Sequence, residues 1–393
     1  MSEIVSWGDN TNGQLGDGGE TGRSVPGPVR ALADLAPVTD VVAGSGHVLA
    51  LLADGTALAW GRNIFGQCGD ASTENRSAPV AVRGLTGIVG IAAGGGQSLF
   101  LREDGTVWGC GAGFFGVLGA EHVRVHPVPV HIDGIADVRQ LVSGGGHILA
   151  LTNDGEVFTW GRDDYGQLGD GARRGELPGC RTVEHAGVGF RCRVVPAKVD
   201  GLPEVRSLAA GGGHSLALLT DGRLVTWGFN DRGQLGDGTM SHRHAPNPHE
   251  ALTDVTSVAA GYHHTVAVRS DGSVWAWGLN DLGQVGDGST THRTRPVRVA
   301  GLPAAITMVA AKGGGSDAAP GGSGHSYAVD EAGRVWAWGC NNHGELGDGG
   351  DTSKLEPVQV KDLEQVRRIT AGGEVPAFRE NPGGGYGLAL LGD

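Results

Sequence analysis

Residues 211–238 read GGGHSLALLTDGRLVTWGFNDRGQLGDG, and residues 261–288 read GYHHTVAVRSDGSVWAWGLNDLGQVGDG. Self-similarity at a fixed period confines a chain to repeat architectures before any other property is weighed. The His of HSLAL has equivalents at His47, Gln97, His147, His214, His264, His325 and Tyr386, with steps of 50, 50, 67, 50, 61 and 61 residues. Thirteen residues after each comes the aromatic of WG, at Trp60, Cys110, Trp160, Trp227, Trp277 and Trp338. The partner expected after Tyr386 stands at the other end of the chain, as Trp7 in SEIVSWGDNTNGQLGDG. Seven units of about 50 residues therefore close head to tail, the last shared by both termini.

Within a unit the apolar runs are short and strand-like. VRSLAA, HSLALL and RLVTWG alternate partially at period two and are bounded by Gly or Asp-Gly. TDGR and SDGS read as hairpin turns that need positive φ, which accounts for many of the 73 glycines. A fourth, weaker strand such as RPVRV (295–299) follows each GQLGDG loop. Four strands repeated radially describe a propeller blade. The expected fold is all-β, a single seven-bladed propeller over 1–393. Its blades start near 41, 88, 138, 205, 255, 306 and 366, and residues 1–35 complete the last as a velcro closure that leaves no open edge.

The stretch AAGGGHSLALLTDGRLVTWGFNDRGQLGDG resembles the repeat of the regulator of chromosome condensation (RCC1) family, and the resemblance covers essentially the whole chain. It implies the seven-bladed propeller. Function does not follow from such a fold. The family's founder is a guanine nucleotide exchange factor that touches chromatin through a basic tail, and this chain is acidic with a net charge of −13 and no such tail. An exchange-factor-like regulator is thus a minor alternative, and nucleic acid is not an expected partner. The plant ultraviolet-B photoreceptor of the family carries GWRHT, where this chain has GGGHS, GYHHT and GSGHS. The remaining relatives, many of them bacterial, imply a binding platform for a protein or peptide. Arg over Lys with abundant Gly and Ala suggests a GC-rich coding genome. No signal sequence or membrane-length apolar run is seen, and five scattered cysteines suit a reducing cytoplasm. A cytoplasmic monomer is expected.

Departures from the repeat carry the functional reading. Three insertions, 171–194, 312–325 and 372–386, all fall in A–B turns or C–D loops. They therefore share one face and are expected to surround the channel mouth. Blade two replaces the WG Trp by Cys110 and its loop carries Phe114 and Phe115, read as exposed contact residues together with Phe190 and Phe378. The repeated His positions and the GDG aspartates read as structural, the His as hydrogen-bonding partners of neighbouring loop backbone. Histidines outside the register, among them His122, His185, His242 and His244, complete the expected binding set with Glu374. His122, His126, Cys180, His185 and Cys192, with the neighbouring His131, His242, His244 and His249, are the candidates for zinc or iron, without a Cys-x-x-Cys or His-Glu-x-x-His to organise them. Cys180 and Cys192 could instead pair as a disulfide. No cofactor is expected. The alternative to a scaffold is an enzyme with a lidded pocket at the channel mouth, lined by such His and by Glu121, Glu184, Glu374 and Glu380, although no known catalytic motif occurs.

Overall fold

The computed structural model describes residues 3–392 apart from 31, 33–34, 120–124, 172–179, 186–187, 250, 304, 314–323 and 374–383, with backbone alone at 180–181, 183–185 and 188. These residues form seven antiparallel sheets, one per repeat. In blade four the order is Val205–Ala210, His214–Leu219, Leu224–Gly228 and Arg243–Pro248, from the channel outward, as strands A to D. Blade one begins at Val38, whose side chain is already buried. Blade seven joins Val366–Gly373 and Gly385–Leu391 to Ile4–Gly8 and Arg23–Pro28, so Ile4 pairs with Leu390 and Trp7 with Gly387. No helix among the described residues is long and apolar enough to cross a membrane.

The B strands are buried along their length, as in His47–Leu52 and His214–Leu219, because they pack between neighbouring blades. Leu49 and Leu51 of blade one share one core with Ile88, Phe100 and Cys110 of blade two. Trp227 of blade four shares another with Leu149 and Leu151 of blade three. A single blade has no core of its own, as expected of stacked repeats.

Each element of the repeated sentence serves this stacking. The WG tryptophans are fully buried, and each indole N–H finds a carbonyl on the preceding blade: Trp60 on Gln14, Trp227 on Gln167 and Trp277 on Gln234, at 2.9–3.0 Å. The ring lies on the glycine of the preceding GDG loop, where a Cβ on Gly169 or Gly236 would strike it. The Asn of WGxN folds the C–D loop. Asn280 Oδ1 accepts from Val285 N, and its Nδ2 donates to Asp287 and to the Thr291 carbonyl. Asp287 in turn pairs with Arg293 at 2.6 Å. The B–C turns are fixed by Asp-Gly, with Asp54 accepting from Thr56 N and Gly55 at φ 77°.

Candidate functional site

The register histidines are consumed by the fold. His47 Nε2 lies 3.0 Å from Ser98 Oγ on the next blade, His147 3.0 Å from Ser215, His214 3.1 Å from Thr265 and His264 2.9 Å from Ser326. The hydroxyl then donates to a C–D loop carbonyl, as Ser98 does to Gln67. The sequence reading assigned these rings directly to loop backbone; the hydroxyl relay stands between. Burial holds His47, His147 and His264 neutral, with pKa values pushed down to about 3. Tyr386 does reach backbone, donating to the His47 and Gly44 carbonyls.

The A–B turns and C–D loops lie on one face. Phe229 N donates to Gly213 O and Arg62 N to Gly46 O, tying the start of each C–D loop to an A–B turn. Across this face runs an arc of aromatic contacts. Phe65 of blade one meets Phe114 of blade two edge-on at 5.2 Å, and Phe115 meets Phe190 of blade three at 5.1 Å. The Arg162 guanidinium lies 4.6 Å from the Phe190 ring centre and 5.4 Å from that of Tyr165, held by Asp164 at 2.5 Å. Tyr165 reaches Phe229 at 4.4 Å, His242 stacks on Phe229 at 5.0 Å, and His263 joins Phe229 to Tyr262 of blade five. Ile64 and Met240, in C–D loops of blades one and four, are exposed.

The third-blade insertion supplies part of this arc. It folds as a hairpin, Cys180–His185 against Val188–Lys198, adding a fifth strand to its blade. Its base is ionic. Asp163 takes the place of the repeat's Asn and faces Arg191 at 3.3 Å, while Arg193 pairs with Asp170 at 2.6 Å. Burial, with Asp170 nearby, pushes the Asp163 carboxyl up to about 7 in spite of the two arginines.

Several expected site residues behave differently in place. Phe115 is buried, not exposed. It turns into the core between blades two and three at φ 64°, and Phe114 and Phe190 pack half-buried against that core. Cys192 does not face Cys180. Its register partner is Arg181, and its Sγ remains a thiol that donates to the Phe190 carbonyl. His126 and His244 sit on D strands of blades two and four, and of the described histidines expected in the binding set, His242 joins the arc. Among the described residues no cluster of three or more His, Cys, Asp or Glu is placed to hold a metal. Glu121, His122, Glu374, Phe378 and Glu380, and the side chains of Cys180, Glu184 and His185, lie outside the described residues.

A family model of the RCC1-like domain matches residues 3–378. The chain belongs to the RCC1-like domain family. Human E3 ubiquitin-protein ligase HERC2 is 30% identical over 246 residues, 62% of this chain and 5% of that protein. The mitochondrial RCC1 domain-containing protein RUG3 of Arabidopsis thaliana is 35% identical over 83 residues, 21% of this chain and 18% of its own length. The chain thus spans less than a fifth of the curated relatives it matches. Among solved structures, Prp20p from Saccharomyces cerevisiae superposes with a TM-score of 0.79 at 23% identity, covering 99% of this chain and 91% of that one. Human WBSCR16 does so at 0.79 and 22%, covering 100% and 99%. Both likenesses concern the fold.

The channel of this RCC1-like propeller has two regions. A cavity of about 370 Å³ is walled by the A strands. Toward the insertion face it narrows at Ser45, Gly95, Gly145, Gly212, Tyr262, Gly313 and Gly373. The backbones there bond from blade to blade, Ser45 N to Gly94 O, Gly212 N to Tyr262 O and Tyr262 N to Gly313 O. A Cβ on Gly95 or Gly145 would lie 2.6 Å from the next carbonyl oxygen, so those two blades need glycine here, while Ser45 and Tyr262 hold the same register position in blades one and five. Among the described residues the A–B turns draw this end of the channel together. Lys312 lines both regions. Sequence reading passed over it as part of an insertion, although it stands where the other six blades have Gly44, Gly94, Gly144, Gly211, Gly261 and Gly372.

Proposed function

We propose that this RCC1-like propeller is a binding platform that takes a protein or peptide segment on its insertion face, along the aromatic arc from Phe65 to Tyr262. The arc is the observation that carries the reading. It crosses five blades, joins the half-buried Phe65, Phe114, Tyr165, Phe190 and Tyr262 through the buried Phe115, Phe229 and His263, stands beside the exposed Ile64 and Met240, and includes an Arg stacked on aromatics, the residue types that dominate binding hot spots. Relatives of the same fold are described through protein contacts: Prp20p by its binding properties toward Gsp1p and histones, and as bound by Kap60. At 23% identity those partners do not transfer, and exchange activity gains no support from the likeness.

Capture from a lysate of the source organism tests the reading, with the intact chain run beside an Ile64→Glu/Met240→Glu variant. Both positions are exposed, so folding is left intact. The expected result is a specific protein retained by the intact chain and bound at least about tenfold more weakly by the variant. A partner held equally by both, or none held by either, would overturn the assignment to this face.

A further inference from the structure

Lys312 is a second feature that the repeat does not explain. In the other blades a Cβ at this register position would collide with the ring of His47, His147, His214, His264 or Tyr386, or with Ser143 Oγ, which makes glycine obligatory there. In blade six strand A runs one residue further, Ile306–Lys312, and Lys312 pairs across to His325. A long cationic side chain is thereby placed at the narrow end of a channel that is otherwise lined by uncharged residues, save Arg368. Arg368 is already matched by Asp40 at 2.9 Å. No carboxylate among the described residues acts on Lys312; burial alone acts on it and draws its pKa down to about 8. Lys312 is half-buried at the channel wall, and an ammonium drawn into a protein without a counter-charge is costly, so natural interiors pair such groups. Ser207 and Ser257 line the same cavity, and no protein hydrogen bond to either hydroxyl is made among the described residues. The cavity's about 370 Å³ lies at the small end of ligand pockets.

We propose that the central channel binds a small organic carboxylate whose counter-charge is the Lys312 ammonium. This site is separate from the aromatic arc and stands or falls independently of it. Among the described residues, His47 feels the Lys312 charge, His325 is its partner across the sheet, and Tyr262 and the Asp40-paired Arg368 line the same channel. His47, at about 3, does not change charge near neutrality. Binding an anion raises the lysine's proton affinity, so above pH 8 it must draw a proton from solution.

Calorimetric titration of the whole chain with succinate, and with uncharged succinamide as a control of the same shape, tests this. Succinate is expected to bind at pH 7 and succinamide not. Affinity should fall about tenfold per pH unit above the lysine pKa, and at pH 8.5 the heat should depend on buffer ionisation enthalpy because protons are taken up. Lys312→Met, or Lys312→Gly, which restores the residue of the other six blades, should weaken succinate by about tenfold or more and abolish the proton uptake. Absence of succinate binding to the unaltered chain, binding without proton uptake at pH 8.5, or equal affinity in a folded Lys312 variant would each overturn the proposal. The two wild-type measurements decide the matter even where neither variant folds.

Discussion

The hydroxyl of Ser98 has one proton, and the Gln67 carbonyl takes it at 2.6 Å. His47 must then donate through Nε2, which leaves Nδ1 as a bare buried acceptor, as it also is in His147 and His214. A second proton on such a ring is strongly opposed. Against an unfolded value of 6.5, the folded values lie at about 3 for His47, His147 and His264, with His214 well below normal. Depressed folded values mean stability that is whole above pH 6.5 and is lost as pH falls toward 3. From pH 6.5 to 5.5 each ring costs about 1 kcal/mol, and the slope approaches about 1.4 kcal/mol per pH unit below that, so four rings give roughly 4 kcal/mol over the first unit. Urea unfolding followed by tryptophan fluorescence should show this loss between pH 6.5 and 5.5. His147→Gln, the residue blade two uses at Gln97, should reduce the slope by about a quarter. The sequence held a further signal. His47, His147, His214 and His264 occur where the next blade places Ser98, Ser215, Thr265 or Ser326 after its own register position. Gln97 and Tyr386 occur where it places Ile148 and Val48. The structural role was legible from periodicity; the partner required knowing which blade follows which.

At the scale of elements, the blade-three hairpin shows how an insertion is grafted onto the repeat. The graft exchanges the loop-folding Asn for Asp163 and supplies Arg191 from the new strand. Because the folded Asp163 pKa is raised to about 7, its contribution is favourable at low pH and is lost as pH climbs through 7. Asp163→Asn removes that ionisation. Relative to the unaltered chain, the variant should gain on the order of 1–3 kcal/mol between pH 5 and pH 8, read as the difference of denaturant midpoints at the two pH values. The insertion itself was evident from the 67-residue step. Its chemistry was not, because Cys180, His185 and Cys192 drew attention to metal or disulfide, while strand register sets Cys192 opposite Arg181. Phe114 and Phe115 were similarly ambiguous: adjacent residues on a loop can face opposite ways, and the left-handed turn at Phe115 sends one ring into the core.

For the whole molecule, the cores lie between blades and the stability of any one blade depends on both neighbours. Removing residues 1–29 would strip two strands from blade seven, expose Ala389 and Leu388, and leave Glu345 O without the Trp7 indole. Calorimetry should then show a broadened transition at lower temperature, in place of the single cooperative one expected of the closed ring. This level was the most legible, since a seven-fold register and a Trp7 displaced to the other end specify closure directly. The arc and the channel lysine were the least legible. They depend on which loops converge and on one residue, Lys312, departing from a glycine that six other blades keep.

Leu391 N donates to Glu3 O at 2.9 Å, and Ile4 lies opposite Leu390. The two ends of the chain are thus neighbours in one sheet, and the ring has no privileged first residue. Joining them through a short linker and opening the turn at Asp154–Gly155, where Asp154 is exposed, would write the same circle from another starting point. Chain order in this protein is a matter of where the gene is cut, while neighbour order around the ring is what the packing reads.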